Sequence, residues 1–526
     1  MSTSHIPNSG SSLSADYCVV GAGMVGLVTA RKILDNGGSV VLVDSGYHKY
    51  NQIAQDLNSG FSGPFGNWPL PNFAVSHQRI RGIGGTAMLW GGWCRELNDW
   101  DFTANNKCDI SWPFPFDELK PFYQEARKAL GINENAVAID APPSALAPLI
   151  PSIISCASET FRDDLLRSLR SEENFTLIPG FTLVGLPVDK NTVTTAVFRK
   201  TDRTDHDRGL TVTANRFIIC GGGIENARIL LTLLPKPNID GLPIGLGFME
   251  HPKVLVGQYY PTNKKVLNYL KSLAPPLTGR DLLFKSPLKR PFGELQLPPE
   301  TQKAKGLGNA MIGFRQANIY AASLVKLRYN FLTRNLFSCG PIGPSRLISL
   351  ARDCTRIISG RLAQQIGITR PCFSVFILFE QYPNDFNSVS LTDVKDAQNI
   401  PRVRLNWKMS EEDIHTVIGT LHEFKNIVNK NKIGRFVPEK QLIDSEKQMK
   451  YLEVEAHAEG HQMGTTRMGS SETSSVCDNT GKVWRTTNLF VFGASLFPRG
   501  GAANPGLTSV ALALRNIKKI MHTHLV

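Results

Sequence analysis

The hydrophobic pattern near the amino terminus predicts a strand, a glycine turn, a helix and a second strand. Residues 17–20 (YCVV) form a short apolar run that ends in Gly21. Apolar side chains then recur at helical spacing over residues 27–34, and a second apolar run, 39–43, ends in Asp44. An apolar run followed by a 3.6-residue period indicates a strand that leads into a helix.

The glycine turn has the sequence GAGMVG over residues 21–26. Gly21 permits the tight turn, Gly23 lets backbone amides approach a pyrophosphate, and Gly26 lets the helix pack closely on the strand. Asp44, 18 positions after Gly26, is placed to bind the ribose hydroxyls of an adenosine. The sequence therefore predicts a dinucleotide site.

Glycine spacing does not distinguish FAD from NAD, but two further stretches favour the longer cofactor. Residues 79–92 (RIRGIGGTAMLWGG) form a glycine-rich segment that lets backbone lie flat against a large ring system. Residues 217–223 (FIICGGG) are another apolar strand that ends in glycines, and a helix opens directly afterwards. Together these segments suggest a long cofactor that spans one domain.

The carboxyl end carries the candidate chemistry. Residues 461–469 read HQMGTTRMG, and residues 488–495 form a last strand that leads to Asn504 and Pro505. Asn is a good helix cap and Pro is favoured at the first helical position, so a helix starts here. Its positive end would stabilise an anionic reduced flavin.

At these residues the chain resembles the glucose-methanol-choline (GMC) oxidoreductases. The H-x-x-G-T-x-R-M-G stretch, a D-x-x-G-x-V segment from Asp478, the Asn504-Pro505 pair and the G-G-x-E-N-A-R segment after the third strand follow the family's order. The resemblance covers roughly residues 14–130, 210–255 and 373–526, and residues 256–370 carry no recognised motif. The His461 and Asn504 pairing is closest to pyranose oxidase and cholesterol oxidase, whereas glucose oxidase has a second His in place of Asn504.

The resemblance implies the fold. The expected class is α/β (α+β overall), with a Rossmann-like FAD-binding domain and an antiparallel-sheet substrate domain. The FAD-binding domain is expected to be discontinuous (14–115, 172–255 and 455–526), and the substrate domain is expected to comprise 116–171 and 256–454, with a basic insertion around 264–361. Strand-like alternation at 374–380, 388–391 and 402–407 predicts the sheet that roofs the flavin. Phe373, Phe376 and Trp407 on these strands are either core or cavity residues and are not assigned.

His461 is the predicted catalytic base, because a neutral imidazole is suited to accept a hydroxyl proton as hydride leaves the alcohol carbon for flavin N5. Asn504 is predicted to donate to the same oxygen and orient the substrate. The alternatives are a buried structural histidine and a plain helix cap. His457, four positions before His461, invites a metal interpretation, but Gly460 weakens a helix there and no third ligand is apparent, so we expect no metal. His251 is read as structural or supporting.

The predicted cofactor is non-covalent FAD. In pyranose oxidases a His just before a Trp in the glycine loop bonds to the flavin, whereas Leu89 precedes Trp90 here. Another departure is Gly493, where many relatives have Asp. The predicted cofactor-binding residues are Gly21, Gly23, Met24, Gly26, Asp44, Ser45, Arg81, Gly84, Gly85, Leu89, Trp90, Gly221, Ala494, Ser495, Asn504, Pro505, Leu507 and Thr508.

The expected function is oxidation of an alcohol on a sugar, glycoside or polyol-like substrate to a carbonyl. Sterol-like, apolar or aminoglycoside alcohols are alternatives that the same pair could serve. A flavin monooxygenase or a non-catalytic flavin-binding partner are alternatives from other classes. The electron acceptor (oxygen, a quinone or a protein) and the oligomeric state stay open.

Composition bounds these expectations. The chain has 526 residues, 42% of them hydrophobic, which suits two domains. No run approaches the ~20 apolar residues of a membrane helix, and the start lacks the character of a secretory signal. Nine scattered cysteines without C-x-x-C spacing indicate free thiols in a reducing compartment, so a cytoplasmic location is expected.

The net charge of +13 is concentrated in one segment. Residues 264–361 hold 17 Lys and Arg against four acidic residues, which accounts for the whole excess. Such a segment suits an anionic partner, or is simply a solvated face. We expect no nucleic acid, because no zinc-finger, RNP or basic-zipper pattern accompanies the charge.

Overall fold

The computed structural model describes residues 11–62, 73–76, 78–103, 108–132, 140–202, 209–273, 292–316 and 371–522. Most of the basic segment 264–361 therefore lies outside the described residues. The strands, numbered in chain order, are β1 Ser12–Val20, β2 Val40–Asp44, β3 Phe61–Ser62, β4 Trp93–Cys94, β5 Ile150–Cys156, β6 Phe175–Pro179, β7 Phe181–Gly185, β8 Val188–Asp189, β9 Thr192–Val193, β10 Ala196–Lys200, β11 Gly209–Ile219, β12 Pro252–Pro261, β13 Phe292–Gln296, β14 Ala310–Gln316, β15 Phe373–Phe379, β16 Ser388–Lys395, β17 Pro401–Asn406, β18 Gly434–Pro438, β19 His457–Ala458 and β20 Leu489–Val491. The α-helices are α1 Met24–Asp35, α2 Gln52–Asp56, α3 Phe73–Ser76, α4 Phe116–Ala129, α5 Phe161–Arg170, α6 Gly222–Leu233, α7 Lys236–Ile239, α8 Lys264–Leu273, α9 Pro299–Lys305, α10 Glu411–Lys430, α11 Lys440–Ile443, α12 Ser445–Glu455 and α13 Pro505–His522.

A parallel sheet in the order β6-β2-β1-β11-β20 forms the nucleotide-binding side. β2 is buried along its whole length, as expected for a parallel strand covered on both faces. Val20 of β1 pairs with Val43 and with Ile219, so the carboxyl ends of three strands meet at one edge. Ligands of open α/β sheets bind at that edge. The antiparallel pair β10 and β7 extends the sheet from the first half of β11.

Helices α1 and α13 pack against each other beside this sheet, and α4 and α5 pack on them. The buried hydroxyls of Tyr123 in α4 and Thr508 in α13 lie 2.9 Å apart. The sequence predicts that 116–171 belongs to the substrate domain, but α4 and α5, which lie within it, contact α13 and α1 on the nucleotide-binding side. The proposed domain boundaries stay predictions.

The second large sheet is antiparallel throughout and has the order β18-β12-β15-β14-β13-β5-β4, with β19 also paired to β12. Its strands come from widely separated parts of the chain. The predicted α/β class is confirmed, and so is the prediction of an antiparallel sheet beside the nucleotide-binding one. β15 supplies the predicted strand at 374–380.

Two of the three strands predicted for this sheet lie elsewhere. β16 and β17 pair with each other, and β17 pairs in parallel with β3, so they form a separate three-stranded sheet. The prediction that they form one sheet with β15 is therefore wrong. Alternating polarity identifies a strand that is buried on one face, but it does not specify which strand it pairs with.

Seven cysteines lie in the described ranges, and all are free thiols: Cys18, Cys94, Cys108, Cys156, Cys220, Cys372 and Cys477. Cys339 and Cys354 lie outside the described residues. Within the described ranges, no helix has both the length and the apolar character that crossing a membrane requires.

Candidate active site

One cavity of about 610 Å³ is lined by residues from both ends of the chain. Its volume is in the range of ~300–1,000 Å³ typical of ligand pockets. The glycine turn lines it, and so do the predicted catalytic residues His461 and Asn504. The other predicted residues in its wall are Gly21, Gly23, Met24, Asp44, Ser45, Arg81, Gly85, Leu89, Trp90, Gly221, Ala494 and Pro505.

Three helix amino termini face this cavity. Gly23 and Met24 begin α1, the glycines at 221–223 begin α6, and Asn504 precedes α13. Unpaired amides and the helix dipole make each terminus attractive to negative charge. A Cβ on Gly26 would lie 1.9 Å from the Gly21 carbonyl oxygen, so glycine is required for α1 to pack against the turn. These residues fit the pyrophosphate of an FAD molecule.

Asp44 fastens the turn to the end of β2. One carboxylate oxygen accepts from the Ala22 amide at 2.7 Å, and the other accepts from the Gly46 amide at 2.7 Å. Each oxygen keeps a second lone pair for a ribose hydroxyl. Beside it, Arg81 donates to the Ser45 hydroxyl at 3.0 Å and forms a 2.6 Å ion pair with Glu225. The ribose contact of Asp44 stays a prediction.

Five residues predicted to contact the cofactor lie outside the cavity wall: Gly26, Gly84, Ser495, Leu507 and Thr508. The Gly84 amide donates to the Ala22 carbonyl, so it supports the glycine turn. Ser495 is buried and accepts from Asn226 at 2.8 Å. Leu507 is a core residue. These five hold the elements that form the wall.

His461 and Asn504 meet in the cavity, with Nε2 of the imidazole 3.2 Å from Nδ2 of the amide. Backbone pairing on both sides of His461 fixes its position. Met463 exchanges two backbone hydrogen bonds with Met249, and His457 pairs with Lys253 across β19 and β12. The residue pair that the sequence predicted is therefore brought together.

Behind His461 lies a second histidine. Nδ1 of His251 is 3.0 Å from Nδ1 of His461, and His251 is completely buried. One carboxylate oxygen of Glu250 accepts from the backbone amides of both histidines, at 3.1 and 2.8 Å. Sequence reasoning assigned His251 only a supporting role and missed Glu250, although both stand in the segment before β12.

The hydrogen bonds determine the tautomer of His461. The Asn504 amide nitrogen has only hydrogens to donate, so Nε2 of His461 is the acceptor. Nδ1 of His461 then carries the proton and donates to His251. Burial, with the positive charges of Lys253 and Arg95 added, lowers the pKa of His461 to about 3. The imidazole is therefore neutral at physiological pH, and the lone pair of Nε2 accepts from the Asn504 amide.

A buried ion pair holds the loop that carries Asn504. Arg499 donates from Nε and Nη2 to the two carboxylate oxygens of Glu380, at 3.1 and 2.9 Å. Glu380 also accepts from the Gly501 amide. Bidentate pairs of this kind fix geometry strongly. The sequence offered Arg499, five positions before Asn504, as a signal, but nothing local pointed to Glu380.

Gly493 and His457 both lie within the described residues. Gly493 adopts a φ of 115°, a backbone conformation that a residue with a side chain rarely takes. It lines the cavity. His457 is exposed on β19, and within the described ranges no three side chains of metal-ligand type cluster together.

The fold and the site together define a class of enzyme. A Rossmann-type sheet opens onto a dinucleotide-sized cavity, and that cavity reaches a neutral histidine paired with an asparagine beneath an antiparallel sheet. These are the features of a flavin-dependent oxidoreductase.

The comparisons with known proteins agree. Residues 383–513 match the GMC oxidoreductase family. The fructose dehydrogenase large subunit of Gluconobacter japonicus is 22% identical, covering 98% of this chain and 99% of its own. A 2-methyl-1,2-propanediol dehydrogenase of Mycolicibacterium austroafricanum is 23% identical, covering 95% and 94%. The crystal structure of a pyridoxine 4-oxidase from Mesorbium loti shares the fold, with a TM-score of 0.58 and 14% identity over 97% of this chain and 99% of that one. The match over residues 383–513 and these relatives confirm the resemblance of this chain to the GMC oxidoreductases.

Proposed function

We propose that the protein oxidises an alcohol group of a sugar, glycoside or polyol-like molecule to a carbonyl. The observation that carries the proposal is the 3.2 Å contact between His461 Nε2 and Asn504 Nδ2 in the wall of the dinucleotide-sized cavity. FAD, when bound, supplies the acceptor for the hydride that leaves the alcohol carbon.

The protein's own part in the reaction is to hold the hydroxyl and take its proton. An alcohol oxygen that binds here replaces the direct contact between the two side chains: it donates its hydrogen to Nε2 of His461, the unprotonated nitrogen, and accepts from the Asn504 amide. Loss of that proton makes departure of the hydride favourable. Two contacts on one oxygen also limit its rotation, so the carbon is oriented for transfer.

FAD is proposed to bind non-covalently. The site fits it through the three helix termini and through Asp44. Leu89, which lies in the cavity wall before Trp90, has a hydrocarbon side chain that cannot form a bond to the flavin.

An anaerobic screen of alcohols and sugars for bleaching of the bound flavin tests the function. We expect at least one polyol-like compound to reduce the wild-type protein. His461→Ala should keep its yellow FAD but lose reduction by about 10²–10⁴-fold, the usual contribution of a general base. Asn504→Ala should be less severe. Wild-type reduction rates in His461→Ala would contradict the proposal.

The same screen separates the alternatives. Bleaching only by sterols or other apolar alcohols, or only by aminoglycosides, would change the substrate class and leave the chemistry intact. Consumption of NAD(P)H with oxygen, unaffected by removal of His461, would indicate a monooxygenase instead. A comparison of oxygen, quinones and dyes as oxidants of the reduced flavin would identify the electron acceptor.

A further inference from the structure

A second, small cavity of about 50 Å³ lies at the antiparallel sheet. It shares Trp93, Glu459 and Asn504 with the large cavity, so the two meet beside the candidate catalytic pair. Side chains from β12, β13, β14 and β15 line it. Because the large cavity accommodates the nucleotide, the small one is the place for the part of the substrate that extends beyond the reacting hydroxyl.

Charged side chains are concentrated in this small cavity. Arg95, 4% exposed, donates to Glu294 at 2.6 Å and to the Ala502 carbonyl at 2.9 Å. Its Nε is buried and has no hydrogen-bond acceptor among the residues that the structure describes. Buried polar groups of this kind normally have a partner. A ligand oxygen is the partner that this donor lacks.

Lys253 is a buried cation whose nearest paired carboxylate is distant. Its side chain is 9% exposed, and its ion pair with Glu459 measures 3.9 Å, at the outer limit of such contacts. Arg315, at the exposed rim, lies over the Phe376 ring at 5.1 Å. A buried ammonium without a close counter-ion is costly. Such a group is stabilised by an anion that enters the cavity.

The charged side chains in the wall of the small cavity have a net charge of +1. Arg95, Lys253 and Arg315 face Glu294 and Glu459. Glu294 also interacts electrostatically with Lys253 and Arg315, and three cations against two carboxylates leave one positive charge in excess. A single excess charge matches a carboxylate better than a phosphate monoester, which carries about −1.5 to −2. The volume agrees, since it holds only a few water-sized groups.

The remaining wall is apolar and aromatic, formed by Trp93, Ile154, Phe292, Phe314, Phe376 and Leu378. This surface suits the carbon skeleton of a small molecule. We propose that the substrate is a hydroxy acid, such as a sugar acid, whose carboxylate binds Lys253 and Arg315 while its hydroxyl lies at His461 and Asn504. This inference rests on the proposed alcohol oxidation.

Matched pairs of neutral and acidic alcohols test it: sorbitol with gluconate, glucose with glucuronate, and ethylene glycol with glycolate. The measurement is anaerobic flavin reduction by the holoenzyme. We expect the acid of at least one pair to reduce the flavin with the higher kcat/KM. Lys253→Met should lower the ratio of kcat/KM for that acid to kcat/KM for its neutral partner about ten- to hundredfold, mainly through KM for the acid.

Two controls isolate the charge. Lys253→Arg should retain most of the preference for the acid. Lys305→Met, which removes a half-exposed lysine from α9, should change neither member of a pair. The ratio of acid to neutral rates cancels any general effect of a substitution on flavin or folding.

A binding measurement separates this inference from the function. Titration of the oxidised holoenzyme with propionate should perturb the flavin spectrum and inhibit reduction competitively, and Lys253→Met should weaken both effects. If neutral alcohols bleach the flavin better than their acids and propionate does not bind, this inference fails while alcohol oxidation stands. If no alcohol bleaches the flavin, the proposed function fails, and with it this inference.

Discussion

Nδ1 of His251 lies 3.0 Å from Nδ1 of His461 and accepts a hydrogen bond from it. This direction follows from the Asn504 amide, which occupies the other ring nitrogen of His461 as a donor. His251 is thus a positioning residue. It keeps the proton on Nδ1 of His461, the nitrogen remote from the cavity, so that the catalytic nitrogen Nε2 stays unprotonated.

Replacement of His251 should impair the base without removing it. In His251→Leu the acceptor is lost, and we expect the limiting rate of flavin reduction to fall about 10–100-fold, by analogy with partners that orient metal-bound histidines. His251→Asn keeps an acceptor oxygen near the position of Nδ1 and should recover much of the rate. Anaerobic stopped-flow measurements provide both values.

FAD content and the substrate dissociation constant should be similar in the two His251 variants. If Asn and Leu lowered the rate equally, the role of His251 would be packing and not orientation of the proton.

The pH profile of flavin reduction should lack the usual histidine limb. An ordinary imidazole has a pKa of ~6.5, so at pH 6.5 half of the molecules would be protonated and unable to act as a base. Burial, together with Lys253 and Arg95, lowers the pKa of His461 to about 3, so the base stays unprotonated well below pH 6. Reduction should therefore stay at its full rate from pH 8 to below pH 6. Lys253→Met removes one of the positive charges and should shift the acid limb to higher pH. A half-maximal rate at pH 6.5 in the wild type would contradict this account.

The limits of sequence reasoning are clear from these residues. β1, the glycine turn, α1 and β2 were predictable because their pattern is local: strand period, turn glycines and helix period follow each other within residues 17–44. His461 and Asn504 were found by motif resemblance. The contact between His251 and His461 joins residues 210 positions apart, and it depends on backbone pairing between Met249 and Met463 that no local pattern specifies. For the same reason the partner strands of β16 and β17 were predicted wrongly.

Asp44→Asn should release FAD. Both oxygens of the wild-type carboxylate accept backbone hydrogens, from Ala22 and Gly46. An amide has one oxygen, and its NH₂ group cannot accept the second of these hydrogens. The turn beneath the pyrophosphate loses one of its two supports, and a buried amide is left unsatisfied, at about 1–3 kcal/mol.

The ratio of flavin to protein absorbance after gel filtration measures the effect of Asp44→Asn, with Asp35→Asn on the exposed end of α1 as the matched control. Full retention of FAD by Asp44→Asn would show that the second hydrogen bond is dispensable.

Acid precipitation should release the flavin of the wild-type protein. Leu89 occupies the position before Trp90 in the cavity wall, and its side chain offers no nucleophile. The yellow colour is therefore expected in the supernatant. Colour that stays with the denatured pellet would show a covalent bond at another residue, and mass spectrometry of peptides would locate it.

Glu250 links the geometry of the two histidines to the pH dependence of stability. Burial raises the pKa of Glu250 from 4.5 to about 8 in the folded protein. Below pH 4.5 the carboxyl is protonated in both states, and its contribution to stability is fully present. Between pH 4.5 and 8 the unfolded chain loses the proton while the folded protein keeps it, so stability falls as the pH rises.

Glu250→Gln cannot ionise, yet its amide oxygen can still accept from His251 and His461. We expect this variant to remain folded and to show a flatter dependence of melting temperature on pH in that window, whereas Glu455→Gln, an exposed control, should follow the wild type. An unchanged slope in Glu250→Gln would mean that the carboxyl is already ionised in the folded protein.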